Sequence, residues 1–183
     1  MFAATARLFL RPGWPEDADT LFAAINDEAI VRNLARAPWP YRLDDARQFL
    51  SLPAHPATIR CLIFSRTTAS SELIGCIGIE QEDGQEAELG YWISRSHWGK
   101  GYATEAGRAI LDTARAFRHQ HIVASHFVDN PASGSVLRKL GFSPTGRVVR
   151  RFCRGRNRMV GAVEYSCALN REQDSELMRP QAA

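Results

Sequence analysis

The stretch SHWGKGYATEA, residues 96–106, sets two glycines and a lysine directly ahead of an amphipathic helix. Ala103, Ala106, Ile110, Leu111, Ala114 and Phe117 recur at helical spacing, with Glu105, Arg108, Asp112 and Arg115 on the side that faces water. Small residues early in that helix, Gly107 among them, let it lie close against a neighbour. Its first turn leaves backbone N–H groups unpaired at the positive end of the helix dipole, and the glycines ahead of it let a ligand approach closely. Such a unit is an anion site, with phosphate the usual occupant. Two familiar nucleotide loops do not fit. A P-loop requires Ser or Thr after its glycine-lysine pair, where Gly101 stands, and the dinucleotide fingerprint requires glycine where Thr104 stands.

The surrounding chain alternates strands and helices without repeats or a Gly/Ser linker. ARLFLRP reads as a strand stopped by Pro12 and Pro15, and PEDADTLFAAIND as a helix with acids in its first turn. DEAIVRNLAR and LDDARQFLS read as two short helices around the loop APWPY. TIRCLIFSR, LIGCIGIEQE and AELGYWIS read as strands, the last two joined by the turn EDGQ. HIVASHFV reads as a buried strand, and an arginine-rich hairpin closes with AVEYSCAL. This order predicts one α+β domain over residues 1–170, a partly antiparallel central sheet flanked by helices, and a frayed tail at 171–183.

With 183 residues, 45 % of them hydrophobic and 23 % charged, the chain has enough material for a sizeable core. No apolar run approaches the ~20 residues that span a bilayer, and the N-terminus lacks the pattern of a signal peptide. Cys61, Cys76, Cys153 and Cys167 are far apart with no CxxC pair, which points to reduced, half-buried thiols and a cytoplasmic protein. The net charge is +3, with Arg147, Arg150, Arg151, Arg154, Arg156 and Arg158 gathered in the closing hairpin. No nucleic-acid-binding signature accompanies them, and they read as a solvated edge strand protected by charge. His55, His97, His119, His121 and His126 lack metal-ligand spacing, and no Ser/His/Asp arrangement is visible, so no metal is expected. His126 reads as a satisfied core residue, and Tyr165 as packed in the last strand with its hydroxyl bonded.

A second segment decides what the loop holds. NPASGSVLRKLGF, residues 130–142, opens with Asn130 as N-cap and Pro131 at the first helical position, and Gly141 ends the helix. Together with AELGYWIS and WGKGYATEA, in this order and spacing, it resembles the GNAT superfamily of acetyl-CoA-dependent N-acetyltransferases, and within it the Rim-type branch of ribosomal-protein N-terminal acetyltransferases. The resemblance runs from ARLFLRP to AVEYSCAL. It implies α/β/α layering around a mixed, mostly antiparallel sheet of about seven strands that splays in its middle.

The resemblance also implies acetyl-CoA as co-substrate. Backbone N–H groups of Gly99, Lys100, Gly101, Tyr102, Ala103 and Thr104 would cradle the pyrophosphate, with Trp98 where the family often has Gln or Arg. The pantetheine arm would lie in the split between the strand at Glu88–Ile93 and that at Ile122–Val128, pairing with backbone such as that of Ile93. Asn130 would bind the arm through its amide, and Ser133 and Lys139 carry over with the same segment as coenzyme contacts.

Acetyl transfer to an amine requires loss of the amine's proton, stabilisation of the thioester oxygen and tolerance of a departing thiolate. Glu88 stands on the strand that carries the catalytic glutamate in several family members, just before Gly90, where a bulge would open the sheet. It also ends EQEDGQEAE, whose five acids in nine residues would draw a cationic substrate. Many members place a tyrosine acid where Leu137 stands here, so Ser133 is the candidate proton donor, or the thiolate leaves unaided. Trp39 and Tyr41 in APWPY would wall the acceptor cleft, and Arg151 or Arg154 would meet an acidic peptide. The expected acceptor is a protein N-terminus or a small-molecule amine, and a homodimer is left open. A non-catalytic acyl-CoA-binding regulatory module is the alternative.

Overall fold

The computed structural model describes residues 2–53, 58–66, 71–81 and 86–169. The EDGQ turn, His55 and the tail at 171–183 lie outside the described residues. One sheet of eight strands runs through the described part: β1 (Ala3–Ala4), β2 (Leu8–Arg11), β3 (Ile59–Ser65), β4 (Glu72–Glu80), β5 (Ala87–Ile93), β6 (His121–Phe127), β7 (Ser143–Cys153) and β8 (Arg158–Ala168). The helices are α1 (Ala18–Ile25), α2 (Glu28–Val31), α3 (Leu43–Leu50), α4 (Tyr102–Ala116) and α5 (Pro131–Lys139). The strand order is β1-β2-β3-β4-β5-β6-β8-β7.

Period-two alternation sorts each central strand between two cores. Cys61 and Ile63 of β3 and Ile77 and Ile79 of β4 join Ala106, Ile110 and Ala114 of α4 and Leu137 of α5 on one face. Leu62, Phe64 and Cys76 face Leu21 and Ile25 of α1, Ala46 of α3 and Tyr41 on the other. Burying each large aliphatic side chain in these layers contributes about 1.5–3 kcal/mol. Gly107 works as its place in the sequence implies: a Cβ there would come within 2.5 Å of Leu140 Cδ1, so its absence seats α4 against the end of α5. Arg11 of β2 grips Asp17 through two 2.7 Å bonds and ties the sheet to the turn that starts α1.

All strand pairs are antiparallel except β5–β6. That parallel pairing covers only Ala87↔Ile122, Glu88↔Val123 and Leu89↔Ala124. From Gly90 onward β5 stays registered on β4 while β6 diverges, which is the expected splay. No bulge is needed at Gly90, whose pairing with Gly78 is regular. The sheet opens because the β5–β6 ladder stops.

Four further expectations change. Phe117 lies 59 % exposed, since α4 ends at Ala116 and the next residues turn away from the core. Glu105 is not solvated; it is bound by Thr5 and Arg7. The arginine hairpin, β7–β8, does form a sheet edge, but it is not simply a solvated one. Arg147 pairs with Glu164, Arg151 with Glu88, and Arg156 with Asp129 at 2.7 Å. The cysteines are free, and Cys61, Cys76 and Cys153 are buried fully rather than by half. Burial pushes the Cys61 thiol up to about 11 and the Cys76 thiol up to about 12.

Gly75 sits opposite Ile93 where β4 holds β5, and a Cβ there would overlap the Trp92 carbonyl oxygen. Gly75→Ala is therefore expected to force the strands apart at a cost of about 1–3 kcal/mol, lowering the thermal midpoint by several degrees. Thermal denaturation followed by circular dichroism checks this, and an unchanged midpoint would contradict the tight register.

Candidate active site

The chain leaves β5 through a short 3-10 turn, Arg95–His97, into the glycine loop. Trp98 takes the place of the family's usual polar residue by a different route: its indole N–H donates to the Ile93 carbonyl at 2.7 Å and pins the loop to the end of β5. That carbonyl is thus engaged within the protein. Gly99 and Gly101 adopt φ of +73° and +82°, which L side chains rarely take, and no atom lies within 4 Å of where a Gly99 Cβ would sit. Gly101 caps α4, and the first helical bond runs from Glu105 N–H to the Gly101 carbonyl at 3.0 Å. The preceding N–H groups of Tyr102, Ala103 and Thr104 belong to the turn that has no intrahelical acceptor. Tyr102 and Thr104 are buried, so their contribution to a ligand is through the backbone. Lys100 is exposed beside them.

The loop is braced from β2's side by residues that the sequence pattern does not single out. Arg7 Nη1 donates to the Lys100 carbonyl at 3.0 Å, and Arg7 Nε donates to Glu105 Oε2 at 2.7 Å. The Arg7 guanidinium also lies 4.6 Å over the Tyr102 ring. Thr5 Oγ1 and the Arg7 backbone N–H both donate to Glu105 Oε1, at 2.6 and 2.9 Å. Burial alone would raise the Glu105 carboxyl, but the Thr5 hydroxyl and the Arg7 N–H groups and charge outweigh it and hold the carboxyl low.

At the split, Asn130 caps α5, its Oδ1 accepting from Ser133 N–H at 3.4 Å. Ser133 Oγ lies 2.6 Å from the Tyr91 hydroxyl, which also donates to the Ser133 carbonyl at 3.1 Å. Tyr91, on the diverging part of β5, thus reaches across to α5, while Leu137 is buried in the core. Burial pushes the Tyr91 hydroxyl up to about 12, against the lowering effect of its Ser133 bond. Lys139, in the last turn of α5, is exposed. His126 is only half-buried, its ring 5.5 Å from that of Tyr165, whose hydroxyl accepts from Arg138 Nη1 at 3.0 Å.

On the opposite face of β5 lies a cavity of about 420 Å³. Tyr41, Glu88, Gly90, Tyr91, Arg151 and Arg154 are among its walls. Trp39 is not: the 3-10-free loop after Pro38 leaves it 37 % exposed outside the lining, while Tyr41 turns inward. Glu88 accepts from Arg151 Nη1 at 2.6 and 3.0 Å and from Ser125 Oγ at 3.3 Å. The acids of the run that lie among the described residues are paired. Glu80 is held by Arg36 and Arg60, Glu86 faces His121 Nδ1 at 3.0 Å, and Glu88 is held by Arg151. Among the described residues no group of His, Cys, Asp and Glu is arranged to hold a metal.

The acetyltransferase (GNAT) domain profile matches residues 7–143, which span the glycine loop, the split and α5. The chain belongs to the GNAT acetyltransferase family. It is 31 % identical over 170 residues to the uncharacterized N-acetyltransferase p20 of Bacillus licheniformis, covering 88 % of this chain and 93 % of that one. Its fold is shared with the ribosomal L7/L12 α-N-protein acetyltransferase RimL in complex with coenzyme A, at a TM-score of 0.75 and 20 % identity over 92 % of this chain and 98 % of that one. It is shared too with the spermidine N-acetyltransferase of Vibrio cholerae in complex with CoA and spermine, at 0.73 and 22 % over 90 % and 97 %. As a GNAT enzyme the chain is an acetyl-CoA-dependent acetyltransferase, and the regulatory-module alternative gives way. The loop fits that co-substrate: two left-handed glycines, an open approach and the end of a 15-residue helix suit a pyrophosphate.

Acetyl-CoA at a hundredfold excess over its dissociation constant is expected to stabilise the protein by about 2.7 kcal/mol, seen as a raised melting temperature. Gly101→Asp should abolish that shift by placing a carboxylate and a strained backbone at the anion site. An unshifted wild type at saturating acetyl-CoA would contradict the site. The Glu105 brace has its own pH signature. A carboxyl held low in the folded state contributes stability above its unfolded value, 4.5, and loses it as pH falls toward the folded value. The melting temperature should therefore drop on acidification below that value, and Glu105→Gln should flatten the drop; parallel curves for the two proteins would count against the brace.

Proposed function

We propose that the enzyme moves the acetyl group of acetyl-CoA to a primary amine, a protein N-terminal α-amine or a small-molecule amine, by direct transfer with both substrates bound. The observation that supports this reading most is the position of Glu88, on the wall of the 420 Å³ cavity at the last residues where β5 and β6 still pair. A cavity of this size takes a small amine or the first residues of a peptide. An incoming ammonium has no lone pair, and in this reading Glu88 takes its proton. Acetyl-CoA supplies the acetyl carbon when bound; one N–C bond forms there as one C–S bond breaks.

Tyr91 and Ser133 serve the departing sulfur. A tyrosine hydroxyl near 12 is a weaker acid than a thiol near ~8.5, so full proton transfer from Tyr91 would run uphill. The pair instead donates a hydrogen bond to the developing thiolate, and solvent supplies the proton. Asn130 keeps Ser133 in place through the α5 cap. No helix among the described residues is long and apolar enough to cross a membrane, and the free cysteines agree with a reducing, cytoplasmic setting.

Glu88→Gln is expected to keep acetyl-CoA binding while slowing turnover by about 10²–10⁴-fold near neutral pH. The deficit should shrink as pH rises, because more of the amine is then already neutral. Tyr91→Phe should lower kcat without that pH trend. Turnover of the three proteins followed by thiol release from pH 6 to about 9.5, across the range in which an amine deprotonates, checks both. Equal profiles for wild type and Glu88→Gln would overturn the assignment.

A further inference from the structure

The charge of the acceptor cavity asks for more than a neutral amine. Arg36, Arg60, Arg151 and Arg154 line it against Asp45, Glu80 and Glu88. Every one of those carboxylates is engaged. Glu80 is held by Arg36 and Arg60, Glu88 by Arg151, and Asp45 Oδ2 accepts the Arg42 N–H at the start of α3 at 2.8 Å. Arg154 stands three residues beyond Arg151 on the same hairpin, and its guanidinium makes no ion pair or hydrogen bond among the described residues. A polycation entering the cavity meets arginines and carboxylates already taken; an anion meets a guanidinium with open donors.

The Glu88–Arg151 contact raises a second point. Both carboxylate oxygens accept from Arg151 Nη1, and Oε1 also accepts from Ser125. A base needs a lone pair aimed at the amine, and in this arrangement Arg151 competes for it. Arg151 is one-third exposed and sits on the edge hairpin, so its side chain has room to exchange partners. A carboxylate or phosphate on the substrate is the natural exchange partner, since a guanidinium binds either through paired N–H donors.

We propose that the acceptor is a primary amine that also carries a carboxylate or phosphate group, which docks on Arg154 and Arg151 and draws Arg151 off Glu88. Binding of the correct acceptor thereby frees the carboxylate that deprotonates it. The proton passes from the ammonium to Glu88, the amine nitrogen bonds the acetyl carbon as the C–S bond breaks, and the thiolate is protonated from solvent. This inference rests on the reading of Glu88 as base. It excludes polyamines by like-charge repulsion rather than by size.

Matched amines test it. One pair is phosphoethanolamine against ethanolamine; the other is a tripeptide amide with aspartate or asparagine in second position, with spermidine as the polycation. The anionic member of at least one pair is expected to have a kcat/KM about tenfold or more above its neutral partner, the scale of one charge-assisted contact, and which pair responds separates phosphate from carboxylate. Arg154→Gln should raise KM for the anionic member alone. Arg151→Gln should remove the kcat/KM preference for the anionic member. An Arg151 that merely braces the fold would instead lower turnover of both members alike, and that result overturns the exchange. Equal kcat/KM within both pairs, or a preference for spermidine, overturns the anionic acceptor.

Calorimetry of the same amines on the CoA-loaded protein separates this inference from the transferase reading. Tighter binding of an anionic amine that Arg154→Gln removes, with no turnover of any amine, keeps the docking and sinks the base. Turnover without any anionic preference in rate or affinity does the reverse.

Discussion

Three residue pairs hold the two halves of the sheet together at the parallel β5–β6 contact, and the enzyme's geometry depends on where that ladder ends. Up to Leu89 the backbone of β5 is spent on β6; beyond it, β6 turns toward α5 while β5 stays on β4. The gap brings three things to one line: the glycine loop that follows β5, the Asn130 cap that follows β6, and the Tyr91 hydroxyl that spans between them to Ser133. A continuous ladder would have paired those backbone groups with each other and left no slot for an elongated coenzyme.

The two faces of β5 then divide the work. Odd-numbered residues Leu89 and Ile93 pack toward α4, so that side is anchored by the larger core. Glu88 and Gly90 look the other way, into the cavity roofed by the α1–α3 segment. Glu88 and the glycine loop at residues 99–104, which follows the same strand, are thereby separated by 11–16 residues of chain. The loop is tied at both flanks, by Trp98 to Ile93 and by Arg7 to Lys100 and Glu105. Binding to a pre-ordered loop avoids the entropy of ordering it.

How much of this could be read from sequence follows from the range of the interactions. The glycine loop, the α4 stripe as far as Ala114, the Asn130 cap and the Gly141 stop are local signals, and each stands where its residues imply, with Gly141 at φ +87°. Glu88 is visible in the sequence as a carboxylate on a strand, but its partner Arg151 lies 63 residues away and no local pattern announces it. The same holds for Arg7 and Glu105, 98 residues apart, and for Tyr91 and Ser133, 42 apart. Glu105 looked solvated because helical periodicity sorts residues by face and is blind to Arg7 arriving over the helix end from the turn before β2. Trp39 and Tyr41 were equivalent aromatic residues in a proline-rich loop; only tertiary packing puts Tyr41 in the cavity wall and Trp39 outside it. Charge counts along a chain likewise do not reveal that Arg36, Arg60 and Arg151 come from other elements to pair with Glu80 and Glu88.

The central claim is that one continuous site runs from the α4 end, along the split, to Glu88. Amide resonances of the protein titrated with coenzyme A test it most directly, because each N–H reports its own surroundings. The account predicts the largest shifts at residues 99–104, with a second group at Tyr91–Ile93 and Asn130–Ser133 and little change at β1, β2 and the β7 edge. Shifts confined to any other surface, or absent from the glycine loop at saturation, would contradict it.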